Sequence, residues 1–592
     1  MLRASLSYPC SIDIDLTVDG YVLYVVAMYV ERIPNRSSPP AVLLREAWRE
    51  AGKIRKRTLA NLSHWPQDRI ESLRRLLRGD RLVSPQDVFA VEKSLPHGHV
   101  EAVLGSIGKL GLQSLIGSKP SRQRDLIVAM IAERLIAPSS KLATTRLWHD
   151  STLAEELKLG EADVEELYRA LDWLLARQQR IEAKLAARHL KDGALVLYDT
   201  TTSYYEGRCC PLARFGHDRD GKKLPVILYG LLTDQAGRPV AVEVYPGNTG
   251  DPTTVGDQVE KLRERFSLSR VVIVGDRGML TQAQIQKLKQ HPGLSWISSL
   301  RSPAIRSLVE GGQLQRSLFD ETNLAEIRAP EFPGERLIAC FNPLLAAERR
   351  RKREELLQAT EKALGRLEAE VKRRTKTPLG KAEIGVKAGR VLGRFKMGKH
   401  FTLTIADAAF VWARREESIR READLDGIYV VRTSEPVERL SAPDAVRTYK
   451  SLALVERAFR CLKGVDLLVR PIFHRTEDHV RAHIFLCMLA YYVEWHMREA
   501  WAPLLFQDEE LREQRPQRDP VAPAQPSLSA RRKKASRQSS EGLPLHSFKT
   551  LLAELASRCR NTCRVNTDPL STFNTLTDLT PRQARALQLL GL

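Results

Sequence analysis

An α/β fold built on a mixed sheet, with a long segment inserted before its last elements, is what the sequence predicts. Three observations predict it. Residues 194–300 hold five short apolar runs, ALVLYD, LPVILYGLL, PVAVEVYPG, RVVIVGD and SWISSL, each with the length and β-branched content of a buried strand. DPTTVGDQVEKLRERF (251–266) separates the third run from the fourth, and TQAQIQKLKQ the fourth from the fifth; both are helical in pattern, with Pro252 at an early helical position. A sixth run, DGIYVVRTS (426–434), leads into another helical stretch, YKSLALVERAFRCLK.

Three consecutive strands followed by alternating helices and strands is the order of an RNase H-like sheet. The other elements are justified in turn. Residues 1–27 have an odd composition and Met28 opens a more ordinary start, so the first 27 residues are read as a non-native extension. AVLLREAW and KIRKRTLANL flank Gly52 as a small β-hairpin (28–65), with Lys53, Arg55, Lys56 and Arg57 on one arm. Residues 66–190 are mostly helical by period, with Val164, Leu167, Leu171, Leu174 and Leu175 on one stripe. This region is either a DNA-binding domain that reads DNA ends or a helical scaffold. The sheet domain then runs over 191–302 and 426–510, around an insertion at 303–425 whose first part, 303–340, is irregular or β-rich. Within the insertion, 344–376 reads as a charged helix. Leu357, Leu364, Leu367 and Val371 are spaced 7, 3 and 4 apart on it, a short coiled-coil-like seam that suits a dimer contact or a solvated helical hairpin. Residues 511–545, rich in Pro, Ser, Arg and Lys, read as a basic flexible linker, and 546–592 as a helical C-terminal tail.

At 592 residues several domains are expected. Hydrophobic content of 43% and charged content of 28% fit a globular chain. The net charge of +21 favours a polyanionic partner, because Lys and Arg displace counterions condensed on phosphates. The excess is uneven: residues 341–400 hold 17 Lys and Arg against 7 Asp and Glu, and Arg531 to Lys534 form a second cluster. The eight cysteines give no zinc spacing. Cys209 and Cys210 are adjacent, Cys559 and Cys563 sit as on one helix face, and reduced thiols are expected. The longest apolar runs, 21–30 and 484–493, are about half a membrane span, and Asp13, Asp15 and Asp19 stand where a signal peptide would need an apolar core.

Two aspartates close strand-like runs: Asp199 in ALVLYDTT and Asp276 in VVIVGDRG. A glutamate, Glu456, follows inside the last helical stretch. Tyr449, Glu456 and Lys463 are seven apart, and at about 100° per residue seven steps nearly complete two turns, so all three share a face. Phe459 and Arg460 lie beside that face, and Leu454 and Cys461 oppose it. Asp466, Glu477 and Asp478 are rival acids without such neighbours. Three separated carboxylates in a strongly basic chain are what metal-assisted phosphodiester chemistry requires. Two Mg²⁺ ions about 3.5–4 Å apart activate the nucleophile and stabilise the leaving oxygen, and Mg²⁺ needs only a few carboxylate ligands.

These residues resemble the DDE transposases of bacterial insertion sequences, in the group with a Tyr-x2-Arg-x3-Glu-x6-Lys signature. That pattern falls on Tyr449, Leu452, Glu456 and Lys463. The arginine position is Leu452, a departure for which Lys450 or Arg457 could substitute. EGRCCPLARFGHDRDGKK, YGLLTDQAGRPVAVEVYPGNTGDPTT and VVIVGDRGML extend the resemblance. It implies an RNase H-like catalytic domain with an insertion between the second Asp and the Glu, which lie 180 residues apart. It further implies that Asp199, Asp276 and Glu456 are catalytic and hold two Mg²⁺ or Mn²⁺ ions. By the same resemblance, water is expected to nick double-stranded DNA at the element's terminal inverted repeats, and the freed 3′-hydroxyl to attack target DNA. The resemblance also implies that Tyr449 and Lys463 contact phosphates near the cleaved end. It implies that two copies pair the two ends, with the 344–376 helix a candidate contact, in the cytoplasm and nucleoid of a bacterium, with no membrane partner.

Other residues complete the expected DNA surface. Arg460 lies beside Glu456. Arg277 either holds phosphate or pairs with a local carboxylate. His217, Arg219 and Lys222 form a basic turn that either contacts DNA or is a solvated hairpin. Trp296 and Trp412 suit either a stacked base or core packing. His474, His479 and His483 lack metal-ligand spacing. An RNase H-like nuclease that cuts without joining, and an inactive DNA-binding remnant of a mobile element, are the alternative functions.

Overall fold

The computed structural model describes residues 27–35, 38–50, 53–80, 88–566 and 568–592. The extension proposed upstream of Met28, and the Gly52 turn, lie outside the described residues apart from Ala27. The chain divides into two compact units, one of residues 1–94 with 561–575 and one of residues 95–560 with 576–592.

In the first unit, β1 (Ala27–Ile33), β2 (Ala41–Glu50) and β3 (Lys53–Asn61) form an antiparallel sheet in that order. The helix Gln67–Leu77 closes one face by burying Ile70 beside Val42 and Leu62. The arm carrying Lys53 to Arg57 is the exposed edge strand β3, and a strand edge carrying this much charge resists pairing with another chain. Phe89–Pro96 forms β4.

In the second unit, Gly98–Lys109, Arg122–Ile136, Val164–Leu175 and Gln178–His189 are helices. The expected apolar stripe is the buried face of Val164–Leu175: Leu167, Leu171 and Leu174 are fully buried. The main sheet follows, with β5 (Ala194–Tyr204), β6 (Val226–Asp234), β7 (Pro239–Pro246), β8 (Val271–Val274), β9 (Leu294–Ser299), β10 (Leu324–Ile327) and β11 (Arg336–Phe341). A two-stranded hairpin, β12 (Phe401–Ala406) and β13 (Ala409–Arg414), precedes the last strand, β14 (Ile428–Thr433). The order across the sheet is β10-β11-β14-β9-β8-β5-β6-β7. β5, β6 and β7 run antiparallel, whereas β8 and β9 join β5 in parallel. This is the expected RNase H-like mixed sheet, lengthened on one side. β6 and β8 are buried along their whole length, which is why they read as unbroken apolar runs rather than as alternation. Gly230 in β6 has a packing reason: a Cβ there would stand 2.2 Å from the Tyr198 hydroxyl.

The helices of the second unit cover the sheet. Glu477–Ala500 is buried along most of its length, and Gln178 donates from its amide to the Val242 carbonyl at 2.9 Å. Lys261 ties these layers: it is 1% exposed and pairs with Glu182 at 3.3 Å and Glu243 at 3.0 Å. Burial works against its charge, but the two carboxylates outweigh it and hold Lys261 above its ordinary pKa.

Four sequence expectations differ from the structure. β10 and β11 belong to the main sheet, so the inserted segment is narrower than 303–425: it comprises the helices Pro343–Arg373 and Lys381–Phe395 and the β12–β13 hairpin. The seam of Leu357, Leu364, Leu367 and Val371 is buried within the chain against Ile384, Ala388, Phe401 and Phe410. A seam already covered by its own hairpin offers no apolar face to a second copy, so it is not the dimer contact. The 511–545 segment carries two short helices, Leu511–Gln514 and Leu528–Ser536, and its backbone is held: Lys450 donates to the Val521 carbonyl at 3.2 Å, Arg447 to the Arg518 carbonyl at 2.9 Å and Asn342 to the Val521 carbonyl at 3.2 Å. Cys559 and Cys563 lie on a strand, Cys559–Val565, and the tail mixes helices with strands. The cysteines of the described residues are free thiols. No helix among the described residues is long and apolar enough to cross a membrane.

Candidate active site

Asp199 lies within β5, two strands from the sheet edge, and pairs across to Leu231 of β6. Because neighbours alternate sides of a pleated strand, Tyr198 goes to the opposite face, where its hydroxyl donates to Thr254 at 2.9 Å. Asp276 follows β8 by two residues. Its Oδ1 accepts the amide N–H groups of Gly278 at 3.0 Å and Met279 at 2.8 Å, so the turn fixes the carboxyl group and leaves Oδ2 to the cleft. Glu456 stands on the helix Leu452–Lys463. That helix buries Val455, Ala458 and Leu462, and Phe459 meets the Tyr229 ring of β6 edge-on at 5.9 Å. Ser451 interrupts the expected single helix, so Tyr449 ends a preceding helix, Ala442–Lys450, that abuts the one carrying Glu456 and Lys463.

Asp199, Asp276 and Glu456 line one cleft of about 1020 Å³, together with Tyr449, Lys463 and Arg460. His217, Arg219 and Arg277 share its wall. Lys222 does not: its ammonium lies 5.9 Å from the Tyr204 ring centroid. Leu452 and Lys450 also line the cleft, whereas Arg457 faces a second cavity on the other side of the helix and donates to Gln507 at 3.3 Å. Of the two candidates to replace the absent arginine, only Lys450 reaches the cleft.

The three carboxylates share an electrostatic property. Among the described residues none of them makes an ion pair, and Glu456 makes no hydrogen bond either; Asp199 accepts only the Thr200 N–H, at 2.8 Å. Burial and, to a smaller extent, the nearby Asp276 charge push Asp199 up to about 7. Unneutralised acids at one cleft of a basic chain are a destabilising arrangement that a cation relieves. Their oxygens do not all converge within 4.8 Å. The only grouping of three possible ligands that tight among the described residues is Cys461, Asp466 and Glu494, where Arg498 already pairs with Asp466 at 2.8 Å and Glu494 at 2.5 Å.

The basic residues divide by what holds them. Arg219 is engaged inside the site: it donates to the Thr200 carbonyl and to Asp251 at 3.0 Å. Arg277 and Arg460 have side chains without a hydrogen bond or ion pair among the described residues, so the pairing of Arg277 with a local carboxylate is not seen. Lys463 is drawn down to about 8 by burial and stands 4.0 Å from Asp220, which Arg470 also pairs. The Tyr449 hydroxyl lies 2.7 Å from Ser299 Oγ.

Sequence reasoning missed Asp251 and Arg470, both on the cleft wall. Asp251 accepts from Thr200 Oγ1 at 2.8 Å as well as from Arg219; in the sequence it reads as an ordinary helix-start acid before Pro252, and nothing distinguishes Arg470 from its neighbours. Trp296 is a core residue, 2% exposed. Trp412 donates from its indole to Glu368 at 3.1 Å inside the inserted hairpin. The rings of His474 and His483 stack at 4.6 Å, and His479 pairs with Asp172 at 3.2 Å, so these histidines are packing and surface groups.

The family described as "Transposase DDE domain" matches residues 193–493, and the family described as "IS1634 family transposase, N-terminal domain" matches residues 30–86. No curated protein matches the chain. Both matching descriptions are of transposases, which makes DNA the partner and transposition the process. The first match spans just over half of the chain, from the start of β5 through the helix bearing Glu456 and beyond, and the chain therefore belongs to the transposases that carry a DDE domain.

Proposed function

We propose that this protein cleaves DNA at the ends of an insertion sequence and joins the freed 3′-hydroxyl to target DNA, with Asp199, Asp276 and Glu456 as its metal-binding catalytic residues. The observation that carries the reading is that these three carboxylates face one cleft and none is neutralised by a cation of the chain. Transposases with this domain act with divalent metal, and the all-oxygen donor set fits Mg²⁺ or Mn²⁺. When bound, two such ions lower the pKa of the attacking water or hydroxyl and neutralise charge on the reacting phosphate.

The chain's own groups do the rest. Asp276 is preset by its turn, so it presents one free oxygen without rearrangement. Asp251 and Arg219 brace Thr200 of β5, next to Asp199, the first accepting from its hydroxyl and the second donating to its carbonyl. Arg277 and Arg460, free of partners among the described residues, are the cations best placed to hold phosphates of the cleaved strand, with Lys463 and Tyr449 on the same cleft wall. Two copies pair the two element ends through a surface other than the inserted seam.

The test is a duplex carrying a pre-cleaved element end with a free 3′-hydroxyl, incubated with Mg²⁺ and a supercoiled target plasmid. Joined products support the reading; cutting without joining supports a nuclease instead.

Metal affinity is expected to depend on pH with a definite sign. Asp199 must lose its proton to bind a cation, and in the metal-free protein it holds that proton up to about 7. Mn²⁺ binding, followed by electron paramagnetic resonance without DNA, should therefore weaken about tenfold per pH unit below 7 and level off above it. Equal affinity at pH 5.5 and 8 would overturn this pH dependence.

A further inference from the structure

The helical part of the second unit carries a basic hollow that the cleft chemistry does not use. It has a volume of about 260 Å³ and lies where the loop Gly117–Ser121 meets the helix Gln178–His189 and the end of Val164–Leu175. Lys119, Arg177, Arg180 and Lys184 line it, and no carboxylate does. One wall is Trp173, over which the Arg177 guanidinium stacks at 3.8 Å. Gly117 lets the loop close against that ring, since a Cβ there would meet the indole edge at 3.2 Å.

The four cations fall into two pairs. Arg177 donates to the Trp173 carbonyl at 2.9 Å, and Lys184 to the Ser114 and Leu115 carbonyls at 3.2 Å each. These two are held in place by backbone and give the hollow its shape. Lys119 and Arg180 are exposed and make no hydrogen bond or ion pair among the described residues. Burial and, to a smaller extent, the Arg180 charge lower the Lys184 pKa. The helix Arg122–Ile136 begins at the rim with Ser121 as its cap, adding the positive end of a dipole. Such a set of donors matches a phosphodiester backbone: two fixed cations, two free ones, and an apolar ring for the sugar.

We infer that this hollow binds a backbone phosphate of duplex DNA, as a second contact remote in sequence from the cleft residues. The inference rests on the proposed function for its choice of DNA as the source of the phosphate. Its contribution is independent of base sequence, because phosphate contacts position a protein on DNA without reading it.

Salt dependence tests it. Binding of the full chain to a duplex carrying the element end, and to a scrambled duplex of equal length, is measured by fluorescence anisotropy across a range of KCl concentrations. The wild type is compared with Lys119→Ala/Arg180→Ala, which removes exposed side chains only; an unchanged melting temperature verifies folding. The expected result is a salt slope shallower by about 2, with affinity for both duplexes falling together. Lys119→Glu/Arg180→Glu should weaken both further. An unchanged slope overturns the inference, as does binding of inorganic phosphate at this hollow with the DNA slope unaltered. The expected slope change between wild type and variant, found with a wild type that neither cuts nor joins the element end, would count against the proposed function and leave the phosphate contact standing.

Discussion

Glu456→Gln is expected to lower strand cleavage by about a thousandfold or more, with binding of the element end nearly unchanged. The substitution keeps the size of the side chain and removes its charge. Because Glu456 makes no hydrogen bond or ion pair among the described residues, no native contact is lost with it. Asp199→Asn and Asp276→Asn should behave alike, although Asp276→Asn keeps an oxygen for the amides of Gly278 and Met279. If the three act as one metal site, the triple variant will be hardly worse than any single one, since groups that work as a unit are strongly non-additive. Nicked product on a supercoiled plasmid bearing the end measures all four. Cleavage within tenfold of wild type by any single variant would remove that residue from the site.

Lys261→Met should destabilise the second unit by about 3–5 kcal/mol, the cost of leaving a buried carboxylate without its partner. Lys261 and Glu182 are each 1% exposed, so water cannot replace the lost pair. Burial, with a smaller push from the Glu243 charge, raises Glu182 above its ordinary pKa, and without Lys261 that acid either takes up a proton or unfolds its surroundings. Adding Glu182→Gln to Lys261→Met should recover part of the loss, because the orphaned charge goes with it. Urea unfolding at pH 7.5 gives both numbers. A loss below about 1 kcal/mol for Lys261→Met would mean the pair does not hold the helix Gln178–His189 to β7.

The parts of the fold that were legible share a physical cause. β5, β6, β8 and β9 are buried on both faces, so their burial is written as apolar runs that no surface element would tolerate. Asp276 stands out because a charge closing such a run is costly unless it is used; Asp199 closes only the apolar part of its run, and β5 continues through it to Tyr204. Glu456 stands out because a seven-residue repeat survives the break at Ser451: the two short helices abut, and Tyr449, Glu456 and Lys463 still line one cleft.

What was misread lacked a local signal. β10 and β11 are short, at four and six residues; β11 is a strand because β14 supplies a partner from far along the chain, and β10 because β11 then offers it a free edge. The 511–545 segment has the composition of a linker because few of its residues, Val521 and Leu545 among them, are buried apolar ones. Its carbonyls are taken up by Arg447, Lys450 and Asn342, which lie far away in sequence. Cys559 and Cys563 fit a helix by spacing, but a strand also accepts two small thiols four apart.

By itself, then, the sequence determined the succession of β5 to β9, the basic character of the chain, and three acids on elements that the hydrophobic effect would hold rigid. Only the tertiary structure decided which cations those acids lack, that Arg219 is tied to Asp251 and Thr200, that Lys450 rather than Arg457 reaches the cleft, and that the inserted seam is already covered. The reason is range. Burial is encoded residue by residue, whereas the pairing of charges depends on which distant segments the packed core brings within a few ångströms.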